Sequence, residues 1–232
     1  MKTKRKALVA VLCAAALVAT TFVATVAWLT DTEEVTNTFT VGKVDIKVDE
    51  AVVNEEGKPL DTAGNVVDKV EDAERTETKN EYHLMPGQTY VKDPTMTVLK
   101  GSDESYVRMI VTFNKGAEIE ALFGDPFLPQ NFVDGWDNTK WVTTGVITED
   151  GNTLSYEFRY AETVNAKGTA DNKLEPLFTS FTFPSNITNE QIATLAGLEI
   201  KVDGHAMQVA GFENDTDAAW AAFDAQLAAA NP

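Results

Sequence analysis

Apolar and polar residues alternate with a period of two along most of this chain. In KVDIKVD, Val44, Ile46 and Val48 share one face and Lys43, Asp45, Lys47 and Asp49 the other, the pattern of a half-buried strand. Between 106 and 113, Val107, Met109, Val111 and Phe113 alternate with Tyr106, Arg108, Ile110 and Thr112, which predicts a strand buried on both faces for part of its length. Leu154, Tyr156, Phe158 and Tyr160 mark another strand, and PLFTSFTF and LEIKVDGHAMQVAGF mark two more. Turn residues separate these runs at Gly57-Lys58-Pro59, Pro86-Gly87, Lys100-Gly101-Ser102, Asp150-Gly151-Asn152 and Pro184-Ser185-Asn186. Helical periodicity is confined to connections: 115–123, 188–195, and an alanine-rich segment opened by Asp215 or Thr216. In that last helix Trp220, Phe223 and Leu227 form an apolar stripe that should dock on the sheets. The pattern predicts an all-β protein, an antiparallel β-sandwich with short peripheral helices and a C-terminal helix.

The N-terminal region follows another rule. Lys2, Lys4, Arg5 and Lys6 precede an uncharged run from Ala7 to Ala27, and acidic residues rather than a basic cluster follow it. This is the layout of a secretory signal, residues 1–27, cleaved between Ala27 and Trp28. The run is also long enough to span a bilayer, so a retained anchor is the competing reading. Losing the four cations leaves 15 basic residues against 36 acidic ones, a net charge of about −21 on roughly 205 residues. Such a surface repels nucleic acid and anionic lipid, and membrane association would come only through an uncleaved signal. The single cysteine, Cys13, lies inside the signal, so the exported part has neither a disulfide nor a thiol.

Beyond the cleavage site the alternation changes phase. From Leu29 to Val41 the odd positions read Leu29, Asp31, Glu33, Val35, Asn37, Phe39, Val41, and the even ones are nearly all threonine. After Gly42 the apolar face moves to even positions. A one-residue shift turns every side chain to the other face, so 36–41 and 43–49 are not one flat strand with one buried face. Gly42 either makes a bulge within an edge strand or joins two strands with different partners. In the second case, residues 28–41 complement a neighbour's sheet.

The order of ATVAWLTDTEEVTNTFTVGKVDIKVDE, YHLMPGQTYVKDPTMTV, SYVRMIV and LEIKVDGHAMQVAGFENDTDAAWAAF resembles the exported Gram-positive proteins of the TasA and camelysin family, which depend on a dedicated signal peptidase. The resemblance implies a jelly-roll-like domain that is secreted to the extracellular matrix or cell surface. It further implies self-assembly into biofilm fibres, with the N-terminal segment of one subunit donated to the next. In this chain the donor would be residues 28–41, with Leu29, Val35, Phe39 and Val41 entering a neighbour's groove and Gly42 as hinge or bulge. The partner is then another copy, with an accessory matrix protein as a further candidate. The domain proper would be 42–232. Residues 54–80, polar and free of aromatic residues, are expected to be a mobile insertion, and 116–140 is a second departure from the family.

Camelysin also carries an association with metallopeptidase activity. A zinc hydrolase needs several nitrogen or carboxylate ligands and a nearby base. This chain has two histidines, His83 beside a Pro-Gly turn and His205 at an expected Asp-Gly corner, and no H-E-x-x-H. Neither Ser-His-Asp nor Cys-His chemistry has a local signature. Asp134, Asp137 and Asn138 form a calcium-like loop without the spacing of an EF-hand. The reading is therefore a structural protein without cofactor or catalytic residues. A surface metal-dependent peptidase and a monomeric adhesin-like domain stand as alternatives.

Overall fold

A computed structural model of the chain describes residues 30–33 and 44–230, with the backbone alone at 30–33 and 146–149. Among the described residues the strands are β1 (Thr30–Glu33), β2 (Ile46–Ala51), β3 (Arg75–Thr76), β4 (Thr89–Val91), β5 (Thr95–Val98), β6 (Ser102–Phe113), β7 (Val133–Asp134), β8 (Trp141–Asp150), β9 (Thr153–Tyr160), β10 (Val164–Ala166), β11 (Asn172–Lys173), β12 (Ser180–Thr182) and β13 (Ile200–Gln208). The α-helices are α1 (Gly116–Phe123), α2 (Asn189–Thr194) and α3 (Thr216–Ala230). The larger sheet has the order β1-β13-β6-β9-β8, with β10 also on β6. Two smaller sheets, β11-β5-β2-β3 and β4-β12-β7, complete a jelly-roll-like antiparallel sandwich.

Alternation explains why β6 sits in the middle. Val107, Met109, Val111 and Phe113 are buried on its inner face, while Arg108 on the outer face is buried as well, under α3. β9 follows the same logic: Leu154, Tyr156 and Phe158 point inward, and a turn through Gly151 at φ 59° returns the chain from β8. β13 crosses β2 and β5 so closely that a Cβ on Gly204 would lie 2.4 Å from Val48 Cγ2 and 2.6 Å from Met96 Cε. The expected corner at Asp203-Gly204 is therefore a straight stretch of β13, and the glycine serves close sheet packing instead of a turn.

Both segments that read as insertions are built into the domain. From 116–140, Ile119, Phe127 and Phe132 are buried. Phe132 packs edge-on against Phe123 at 5.0 Å and stacks on Phe181 of β12 at 5.2 Å, filling one end of the sandwich with aromatic rings. Residues 54–80 form hydrogen-bonded turns. Asp61 accepts the amides of Ala63 and Asn65 at 2.9 and 2.8 Å, and bridges join Val53 to Pro59 and Leu60 to Val66. β3 then returns this segment to β2.

The helices start where side-chain oxygens cap them. Thr188 and Gln191 form a reciprocal capping box at α2, and Asp215 accepts the Ala218 amide at α3. The stripe on α3 is shorter than expected, because Trp220 and Phe223 are buried whereas Leu227 is 37% exposed. No helix among the described residues is long and apolar enough to cross a membrane.

Candidate functional site

β1 forms one edge of the larger sheet. It pairs antiparallel with β13, with Thr30 opposite Met207, Asp31 opposite Ala206, Thr32 opposite His205 and Glu33 opposite Gly204. β2 belongs to a different sheet, where it pairs with β5 and β3. The chain thus changes sheets between residues 33 and 46. Ala27, Trp28, Leu29, Val35, Phe39, Val41 and Gly42 lie outside the described residues. Of the segment 28–41, only Thr30–Glu33 is described.

A groove of about 870 Å³ runs beside the first half of β13. One wall is apolar, with Val48, Tyr82, Leu84, Leu195, Leu198 and Val202. The other is a charged network at the end of β2. Arg75 ion-pairs with Asp49 at 2.6 Å and with Asp93, whose carboxylate also accepts the Ala51 amide at 2.7 Å. Lys92 pairs with Glu50 at 2.7 Å, and Asn80 donates to Glu50 and to the Ala51 carbonyl at 2.8 and 2.9 Å. Opposite charges and hydrogen bonds make this burial tolerable, since an unpaired charge at the same depth would cost several kcal/mol. Burial, reinforced by the Glu50 carboxylate, pushes the Tyr82 phenol up, so it stays neutral and donates to the Val91 carbonyl at 3.1 Å.

A second network lies on the outer face of the larger sheet, beneath α3. Arg108 Nε donates to His205 Nδ1 at 3.1 Å, and its Nη1 donates to Glu157 at 3.2 Å. The same guanidinium ion-pairs with Asp224 of α3 and stacks over Trp220 and Phe223, 4.4 and 5.0 Å from their ring centres. Glu157 also accepts from Arg159 at 3.0 Å and from Thr144 at 2.9 Å, and Arg159 reaches Asp217 of α3. Burial first, and the Arg108 charge second, lower the pKa of His205 to about 3. The imidazole is therefore neutral, with Nδ1 accepting. The alternation exposed one signal for this network: a lone arginine among Val107, Met109 and Val111 in a strand read as buried on both faces. Its partners come from distant positions that no local spacing connects.

These positions bear on metal chemistry. His83 is exposed on a loop, donates its amide to Glu55 and accepts from Tyr90 through its carbonyl. His205 has its Nδ1 lone pair engaged by a guanidinium, whose charge opposes a cation there. Asp134 accepts from Ser180 and Thr182, and Asp137 caps Thr139, which uses them as turn and cross-strand acceptors. Among the described residues no three His, Cys, Asp or Glu side chains converge as a metal site, so this donor set does not fit a catalytic zinc.

Residues 2–67 match the family model described as camelysin metallo-endopeptidase. In this N-terminal region, somewhat over a quarter of its length, the chain is similar to the camelysin family. The camelysin match contains no histidine, since His83 and His205 both lie beyond it. It covers the signal-like run, the segment 28–41 and β2 with the first turns after it. No curated protein and no solved structure matched the chain.

Proposed function

We propose that this chain, similar to camelysin in its N-terminal region, is an exported structural protein whose copies assemble into extracellular fibres by exchange of the N-terminal segment. The observation that carries this reading is the position of β1: an edge strand near the start of the chain, paired over four residues with β13, in a different sheet from the strand that follows it. An edge strand at the start of the described chain can be supplied by another copy in the same register, because the pairing partners are identical. A head-to-tail exchange of that kind need not close, so it propagates into filaments. The groove beside β13 continues the pairing direction of β1 and offers an apolar wall to alternate side chains. Val35 and Phe39 are the residues we assign to it. Electron microscopy of the mature protein tests the reading. Fibres are expected from the natural sequence and none from the Val35→Asp/Phe39→Asp variant, which places two charges where apolar contact is required. Fibres of normal appearance from that variant would refute exchange through this segment.

The description of the matched family supports a second reading, a metal-dependent peptidase. Peptide cleavage that is lost on chelation and on substituting His83 or His205, with the fold retained, would establish it in place of the structural role. A folded, persistently monomeric mature protein without such activity would instead point to an adhesin-like surface domain.

A further inference from the structure

We propose that helix α3 is a clamp that positions the β13 edge for strand pairing, acting through His205 and Met207. These two residues do double duty. Their backbones lie opposite Thr32 and Thr30 of β1, and their side chains carry the helix. The His205 ring lies 4.7 Å from that of Phe223, and Met207 is buried with Ala219, Trp220 and Phe223. The residues that alternate with them, Gly204 and Ala206, face the main core, where Gly204 abuts Val48 and Met96. β13 is thus held from both faces at the residues that accept β1, and on the outer face the helix covers His205 and Met207 alongside the Arg108 contact to His205.

The helix side of this grip is separable from the rest of the domain. Met207, Ala219, Trp220 and Phe223 form a buried cluster apart from the main core, so withdrawing α3 opens that small cluster without opening the sandwich. Its two ionic contacts are asymmetric. Arg108 is almost wholly buried, whereas the side chain of its helix partner Asp224 is 56% exposed, and Asp217 beyond Arg159 is 88% exposed. Glu157 of β9 stays paired with both arginines when the helix carboxylates leave. The sheet therefore keeps its charges compensated in either state, as a reversible clamp requires. The indole Nε1 of Trp220 is buried without a hydrogen-bond partner, which makes the docked helix less secure than its packing alone implies. Deletion of a side group of the fold is then expected to loosen one strand edge rather than the whole domain.

The consequence for fibres rests on the function proposed above, but the clamp itself can be tested on the unassembled protein. Amide hydrogen exchange is measured for the natural chain, for Asp217→Asn/Asp224→Asn, which keeps the helix packing, and for a chain ending at Glu213. Exchange in Gly204–Met207 is expected to rise at least tenfold in the truncated chain and several-fold in the double variant, with Leu154–Phe158 of β9 unchanged. An unchanged β13, or an equal rise in β9 and β13, would overturn the proposal. If the truncated chain does not fold, the double variant decides by the same comparison. Fibre growth is followed in parallel. Slower growth in the double variant, with the exchange pattern above, supports a clamp acting on assembly; absence of fibres from the natural chain refutes the fibre reading while leaving the exchange result to judge the clamp.

Discussion

His205 should make this domain progressively less stable between pH 7.5 and pH 5. In the folded protein, burial and the Arg108 charge hold its pKa at about 3, against 6.5 as the ordinary value. Between these two values the unfolded chain carries a proton on this residue and the folded chain does not, so each step down in pH favours unfolding. The contribution is fully present above pH 6.5 and falls away as pH drops towards 3. With these values the loss by pH 5 is about 2 kcal/mol, from 1.36 kcal/mol per unit over the interval between the unfolded pKa and the working pH. The window is clean on its acidic side. The carboxylates that the fold perturbs, among them Glu56, Asp61, Glu118 and Asp137, are shifted downward by hydrogen bonds and titrate below it. The assay is urea unfolding of dilute, unassembled protein at pH 7.5, 6.5, 5.5 and 5.0, for the natural sequence and for His205→Phe. The phenylalanine keeps ring contact with Phe223 while leaving Arg108 without one acceptor, so the variant should be less stable at pH 7.5. Its stability should nevertheless vary with pH by about 2 kcal/mol less than that of the natural protein. Equal pH dependence in the two proteins would refute the neutral, buried state of His205.

Gly204→Val should destabilise the domain by about 3 kcal/mol in urea, because the added methyl groups meet Val48 and Met96 where the sheets are closest. Lys92→Met should cost about 3 kcal/mol by the same measurement, since it leaves the buried Glu50 carboxylate with Asn80 alone in place of a cation at 2.7 Å. Glu50→Gln introduced into that variant should recover part of the loss. Intact-mass analysis of exported protein should find Trp28 at or within a residue or two of the N-terminus, and a mass retaining Met1 would establish the anchor instead.

Much of the architecture was legible in the chain because strands declare themselves through local alternation. The inner faces of β2, β6 and β9 and the capped starts of α2 and α3 follow from residue order and hydrogen-bonding chemistry within a few positions. β1 and β2 lie in different sheets, while the phase change at Gly42 falls outside the described residues. Composition does not show the hydrogen bonding that polar residues make in 54–80. Asp61, Arg75 and Asn80 tie 54–80 together by side-chain to backbone hydrogen bonds and ion pairs that no hydrophobic pattern reveals.

Sequence alone therefore determined the β class, the export-like N-terminal region, the absence of cysteine chemistry beyond it and the strongly acidic surface, all properties of local order or of simple sums. Tertiary structure decided which strand neighbours which, that β1 lies against β13, and that Arg108, Glu157, His205 and Asp224 share one network. Those residues are up to 116 positions apart. Their association depends on strand register and on where α3 lands, quantities set by packing the whole core at once and carried by no single stretch of the chain.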